Sequence, residues 1–186
     1  MLFIQIDTNK ELINQLSTLN NSNILSGIIT GLIILLIVFV FFRPWFYISK
    51  KISVSDGIFR FKVINFTLIK CTEIDFYLRQ VSEIDAYPKG KDVIHELIPI
   101  NTKSFIYVPG LISGLLNSHR PNCLQVKCTN KDLSQIVEAD NTYLELIIKA
   151  RHGISNLQTT KKRQYKHKKF VRNGKFQSGV SCIIEC

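Results

Sequence analysis

Acidic side chains are scarce in this sequence. Fourteen Asp and Glu stand against 24 Lys and Arg in 186 residues, for a formal charge of +10. The deficit is uneven: residues 1–42 hold Lys10 against Asp7 and Glu11, so the rest of the chain carries +11. A domain that basic favours polyanionic neighbours, meaning anionic lipid headgroups or nucleic acid. Cysteine is sparse and odd in number: Cys71, Cys123, Cys128, Cys182 and Cys186. An odd set in a domain assigned to the cytosol argues against a disulfide framework. The close Cys-x-x-Cys knuckle of zinc sites is missing, so these read as small buried thiols plus a frayed tail, with no metal. No glycine-rich phosphate loop or nucleotide fingerprint is present, and no cofactor is expected. His95, His119, His152 and His167 are scattered, and His95 and Glu96 on a strand point to opposite faces. With no nucleophile, acid and base drawn together, the reading is non-enzymatic, without catalytic residues.

Charge is absent altogether from Ile24 to Phe42, which reads ILSGIITGLIILLIVFVFF. As a helix these residues span roughly 28 Å at about 1.5 Å each, close to the hydrocarbon thickness of a bilayer. A cleaved signal peptide would have a shorter apolar core, with its basic residues first. Here they come after. One, Lys10, precedes the run, whereas Arg43, Lys50, Lys51, Arg60 and Lys62 fall in the twenty residues beyond it. The positive-inside rule then assigns residues 1–23 to a short extracytoplasmic tail, 24–42 to a transmembrane helix and 46–180 to a cytoplasmic domain at the inner membrane. Trp45 and Tyr47 suit the inner interface. Gly27 and Gly31 form a G-x-x-x-G face that lets a second copy of the helix approach, so a homo-oligomer is open. Asn20 to Asn23 are expected to break any interfacial helix in the tail before the span.

After Pro44 no amphipathic helix longer than about two turns appears, and period-two alternation recurs instead. Phe59, Phe61 and Val63 alternate with Arg60 and Lys62; Ile74, Phe76 and Leu78 with Asp75, Tyr77 and Arg79; Leu144, Leu146 and Ile148 with Glu145 and Lys149. Leu124–Val126, Val93–Ile98 and Ser104–Val108 are further strands, and Leu111–Leu116 is a short helix or an apolar loop. Turns fall at Tyr87-Pro88-Lys89-Gly90 and Asn173-Gly174. About 140 residues suffice for one domain. Seven or eight short strands, each with one apolar face, predict a mostly β chain: one transmembrane helix, then an immunoglobulin-like antiparallel β-sandwich.

The segments Phe59-Arg-Phe-Lys-Val-Ile-Asn65, Ile74-Asp-Phe-Tyr-Leu78 and Val93-Ile-His-Glu-Leu97 resemble strands of the cytoplasmic domain of inward-rectifier potassium channels. Leu144–Ile148, Gly153, Thr159-Thr160, Arg163, Tyr165 and Phe176 follow in that family's order, so the likeness covers roughly residues 50–178. It implies an immunoglobulin-like sandwich on the inner membrane face. It does not imply conduction, because the chain has one span and no Gly-Tyr-Gly-like filter loop. Ile98-Pro99-Ile100-Asn101 also replaces the family's Asp and Ser-Pro. Family members bind phosphoinositide or other anionic lipid through basic residues at the membrane junction, which implies that role for Arg43, Lys50 and Lys51.

A second basic feature is the run 161–169, with Lys161, Lys162, Arg163, Lys166, Lys168 and Lys169. It reads as a solvated strand and hairpin or as a polyanion patch, with membrane lipid ranked above nucleic acid for a tethered domain. The expectation is a membrane-anchored interaction or sensor module with a protein or small-ligand partner. The alternatives are an oligomerising membrane-perturbing effector or channel accessory, and a tethered nucleic-acid binder.

Overall fold

The computed structural model describes residues 4–86, 90–116, 122–129, 133–139 and 141–185. The chain divides into two compact units, Met1–Phe41 and Phe42–Cys186. The first is a single 38-residue helix, α1 (Ile4–Phe41). The break expected at Asn20–Asn23 does not occur, and the tail residues from Ile4 on continue the same helix. Asn costs only a fraction of a kcal/mol per position, and no Pro interrupts the segment. Once the apolar stretch is helical, adding turns to it avoids a fresh nucleation step. The window Ser22–Phe39 is long and apolar enough to cross a membrane, and none of it is buried within the chain.

The second unit is mostly β. One sheet has the order β6 (Cys123–Cys128), β2 (Ile58–Asn65), β1 (Phe46–Ser55), β9 (Val171–Asn173). The other has β4 (Gly90–Ile98), β3 (Cys71–Ala86), β7 (Thr142–His152), β8 (Gln158–Tyr165), with β5 (Ser104–Val108) also on β3. Pairing is antiparallel except for β9, which runs parallel to β1. Short helices α2 (Leu111–Leu116) and α3 (Leu133–Glu138) and a 3-10 turn at Lys168–Phe170 fill the connections. The alternating residues sort as their period requires. Phe59, Phe61 and Val63 from the first sheet join Ile74, Phe76, Leu78, Leu144, Leu146 and Ile148 from the second in one core. Tyr165 spans the two layers: its ring lies 5.6 Å from Phe61 and its hydroxyl donates to the Ser49 carbonyl (2.8 Å). Burial pushes that phenol well above its ordinary pKa, so it stays a donor at any physiological pH.

Arg60 and Lys62 are a correction. Alternation predicts them solvent-exposed, yet both are buried, Lys62 completely. The C-terminal segment, with the hairpin β10 (Lys175–Phe176) and β11 (Ile184–Glu185), covers Lys62. Its ammonium donates to the carbonyls of Gln177 (2.5 Å) and Ser181 (2.6 Å) and lies 5.7 Å from the centre of the Phe176 ring. Carbonyl acceptors replace the water lost on burial. The hairpin reaches Glu185. The turn expected at Asn173-Gly174 is present, with Gly174 at φ +117 and no room for a Cβ against the Glu185 carbonyl. Tyr87 to Lys89 of the other expected turn lie outside the described residues.

Replacing Lys62 with Met keeps the apolar stem and orphans two carbonyls. Amide exchange over residues 175–185 is expected to accelerate, with a loss of about 1–3 kcal/mol in domain stability by denaturant titration.

Candidate functional site

The loops at one end of the sandwich are held together by a buried amide. Asn65, 1 % exposed, ends β2. Its Oδ1 accepts from the Thr67 amide (2.9 Å) and its Nδ2 donates to the Pro109 carbonyl (3.0 Å). Its backbone exchanges bonds with Asn122, whose Nδ2 donates back to the Asn65 carbonyl (2.9 Å). Thr67 Oγ1 then accepts the Trp45 amide (2.8 Å), and Phe66 donates to the Trp45 carbonyl (2.8 Å). The stretch leading into β1 is thereby fixed against the β2–β3 loop.

This fixing forms a groove of about 860 Å³ beside the start of β1. Residues 43–47 line it together with Phe66 and the Thr159–Lys161 segment of β8. Among the described residues the lining holds two cations, Arg43 and Lys161, two threonines, the rings of Trp45, Phe46, Tyr47 and Phe66, and no acid. Tyr47 and Phe66 meet edge to face at 6.4 Å. Among the described residues neither Arg43 nor Lys161 forms an ion pair, whereas Arg79, Lys91, Arg151, Lys168 and Lys175 do. Free cations beside hydroxyls and aromatic faces suit an anionic group carried on an apolar body.

The residues singled out in the sequence are distributed as follows. Arg43 lines the groove. Lys50 and Lys51 are exposed in β1 where its register with β2 shifts, and they are not part of the lining. The run 161–169 is divided by its own geometry. Lys161 and Arg163 share one face of β8 and Lys162 takes the other. Lys166 lies over the Tyr143 ring (4.7 Å), Lys168 pairs with Glu138 (2.6 Å), and Lys169 lies near the Phe170 ring (5.7 Å). The run therefore contributes one residue, Lys161, to the groove. Residue spacing along the chain gave no sign of that meeting, because 118 positions separate Lys161 from Arg43. Gly27 and Gly31 present open surface on α1, where a Cβ at either would meet nothing. Cys71 and Cys128 are buried thiols and Cys123 and Cys182 half-buried ones, while Cys186 and His119 lie outside the described residues. No group of three His, Cys, Asp or Glu that could hold a metal occurs among the described residues.

His152, 1 % exposed, closes β7 next to the same end of the domain. Its Nδ1 accepts the Ser155 amide (3.2 Å), which puts the ring proton on Nε2, a buried atom without a partner among the described residues. The Phe42 ring meets it edge-on at 5.4 Å, and Ser155 Oγ donates to the Phe42 carbonyl (2.8 Å). Burial lowers the His152 pKa below its ordinary value of 6.5.

Comparison with protein families and with curated proteins shows no matching family model and no matching curated sequence.

Asn65→Ala removes several buried bonds at once and is expected to cost about 2–4 kcal/mol in denaturant unfolding. For His152, the folded state refuses a proton that the unfolded chain accepts, so stability is full above about pH 6.5 and is lost as pH falls toward the lowered folded value. His152→Phe is expected to flatten the melting temperature between pH 6.5 and 5. A wild-type melting temperature constant over that range would contradict the assignment.

Proposed function

We propose that the chain is a single-pass, non-enzymatic interaction module of the inner membrane, whose cytoplasmic β domain engages anionic lipid headgroups through the Arg43–Lys161 groove. The observation that carries this reading is the acid-free lining: two cations without ion pairs, set among Trp45, Tyr47 and Phe66. Arg43, the first residue of the groove lining, follows the last residue of α1 by two positions in the chain. Near an anionic membrane surface each basic residue is worth about 1 kcal/mol. The excess of Lys and Arg after α1 supports an outside N-terminus and an inside domain. The likeness to the inward-rectifier cytoplasmic domain agrees with this position and role, with the groove formed by Arg43 and Lys161 instead of Arg43, Lys50 and Lys51. Self-association through Gly27 and Gly31 is compatible with it. Lipid is favoured over nucleic acid because the run 161–169 is split between two faces and partly occupied by Glu138, Tyr143 and Phe170.

Trp45 is the sole tryptophan and lines the groove, which makes it a direct reporter. With the full chain in neutral nanodiscs, short-chain phosphatidylserine or phosphoinositide is expected to change Trp45 emission, and short-chain phosphatidylcholine is not. Neutralising both charges (Arg43→Gln with Lys161→Gln) is expected to weaken the response by about 2 kcal/mol, roughly thirty-fold. An equal response to neutral and anionic lipid would remove the proposal.

A further inference from the structure

Among the described residues, large apolar side chains are exposed on three connections at the groove end of the domain. Phe66 and Leu68 stand on the β2–β3 loop, Ile112 and Leu116 on α2, and Ile154 on the β7–β8 turn, with Leu116 84 % and Ile154 66 % exposed. These three connections are distant in sequence but bonded into one surface. Leu111 donates to the Thr67 carbonyl (2.7 Å), Gly153 donates to the Lys70 carbonyl (3.0 Å), and Gly110 sits so close to the Leu68–Ile69 backbone that a Cβ there would clash. Single exposed apolar residues are ordinary, but a contiguous group marks something to be covered.

We propose that this loop end docks on the lipid bilayer and inserts these side chains into its interfacial layer. The inference rests on the membrane anchoring argued above and extends it from one headgroup to the whole surface. Three observations select lipid as the occupant. The first is chain continuity. Ser155 holds the Phe42 carbonyl and Thr67 holds the Trp45 amide, so two of the three connections are bonded to residues within four positions of the end of α1. The second is charge. Residues 42–45, 66–70, 109–116 and 153–157 contain no Asp or Glu, and Arg43 and Lys70 are exposed among them. Apolar tips accompanied by two exposed cations and a tryptophan are the composition of an interfacial surface. The third is contrast within the same domain. Val93, Ile94 and Leu97 of β4 are as exposed, but Glu83, Asp85, Asp92 and Glu96 are interleaved with them on the β3–β4 ribbon, a composition that an anionic membrane repels.

The full chain is reconstituted in vesicles of phosphatidylcholine and phosphatidylserine that carry a photoactivatable diazirine on the acyl chain, and labelled peptides are mapped by mass spectrometry. The expected result is label on residues 22–39, on 66–70, 111–116 and 153–155, and background label on 91–97. Leu116→Glu combined with Ile154→Glu changes two exposed positions. It is expected to reduce label on 66–70 several-fold while leaving label on 22–39 unchanged. Label on 22–39 with the three connections at the level of 91–97 overturns the docking alone. Absence of label from 22–39 overturns the anchoring, and the docking with it.

Discussion

The site rests on the side chain of Asn65. A buried amide has donors and an acceptor that must all find partners, and here they are found on separate segments: the Thr67 amide, the Pro109 carbonyl and, through the backbone, Asn122. Satisfying one residue therefore fixes the β2–β3 loop, the segment before α2 and the start of β6 together. Thr67 passes that order on to Trp45, and Trp45 lies in the groove. A loop end built by hydrogen bonds around one amide needs little apolar packing of its own. Its large apolar side chains are left facing outward.

Much of the β domain was legible in the sequence because half-buried strands leave a period of two. The alternation around Phe61, Phe76 and Leu146 located β2, β3 and β7 and marked which residues enter the core. Ser104–Val108 matched β5 at both ends, since Pro109 ends the strand. The failures share a cause. Lys62 alternates like a solvent-facing residue, but whether solvent is there depends on the C-terminal hairpin more than a hundred positions away. β9 pairs with β1 over a similar distance, and its three residues carry no period to read. Within α1, the Asn-rich stretch looked like a stop because local propensity was weighed without the helix already formed beside it.

The candidate site was half legible. Arg43, Trp45 and Tyr47 adjoin the apolar run, and adjacency is visible in a sequence. Lys161 was visible only as one member of a basic run. Singling it out required knowing that β8 places Thr159 and Lys161 opposite residues 43–47 and turns Lys162 away. The neighbours in the run differ from it in having partners: Lys168 has Glu138, and Lys166 has the Tyr143 ring. Net charge overstated the basic surface because it counts cations that the fold has already engaged.

β3 is 16 residues long, and at ~3.3 Å per residue it runs about 50 Å from the loop end to the far tip of its ribbon with β4. Electrostatic influence in cell-like salt decays over about 8 Å. The tip and the groove thus belong to separate electrical neighbourhoods on one domain. A substitution at Lys91 or Asp92 can retune whatever meets the tip without altering the electrostatics around Arg43 and Lys161, so the two ends of the domain are free to diverge independently.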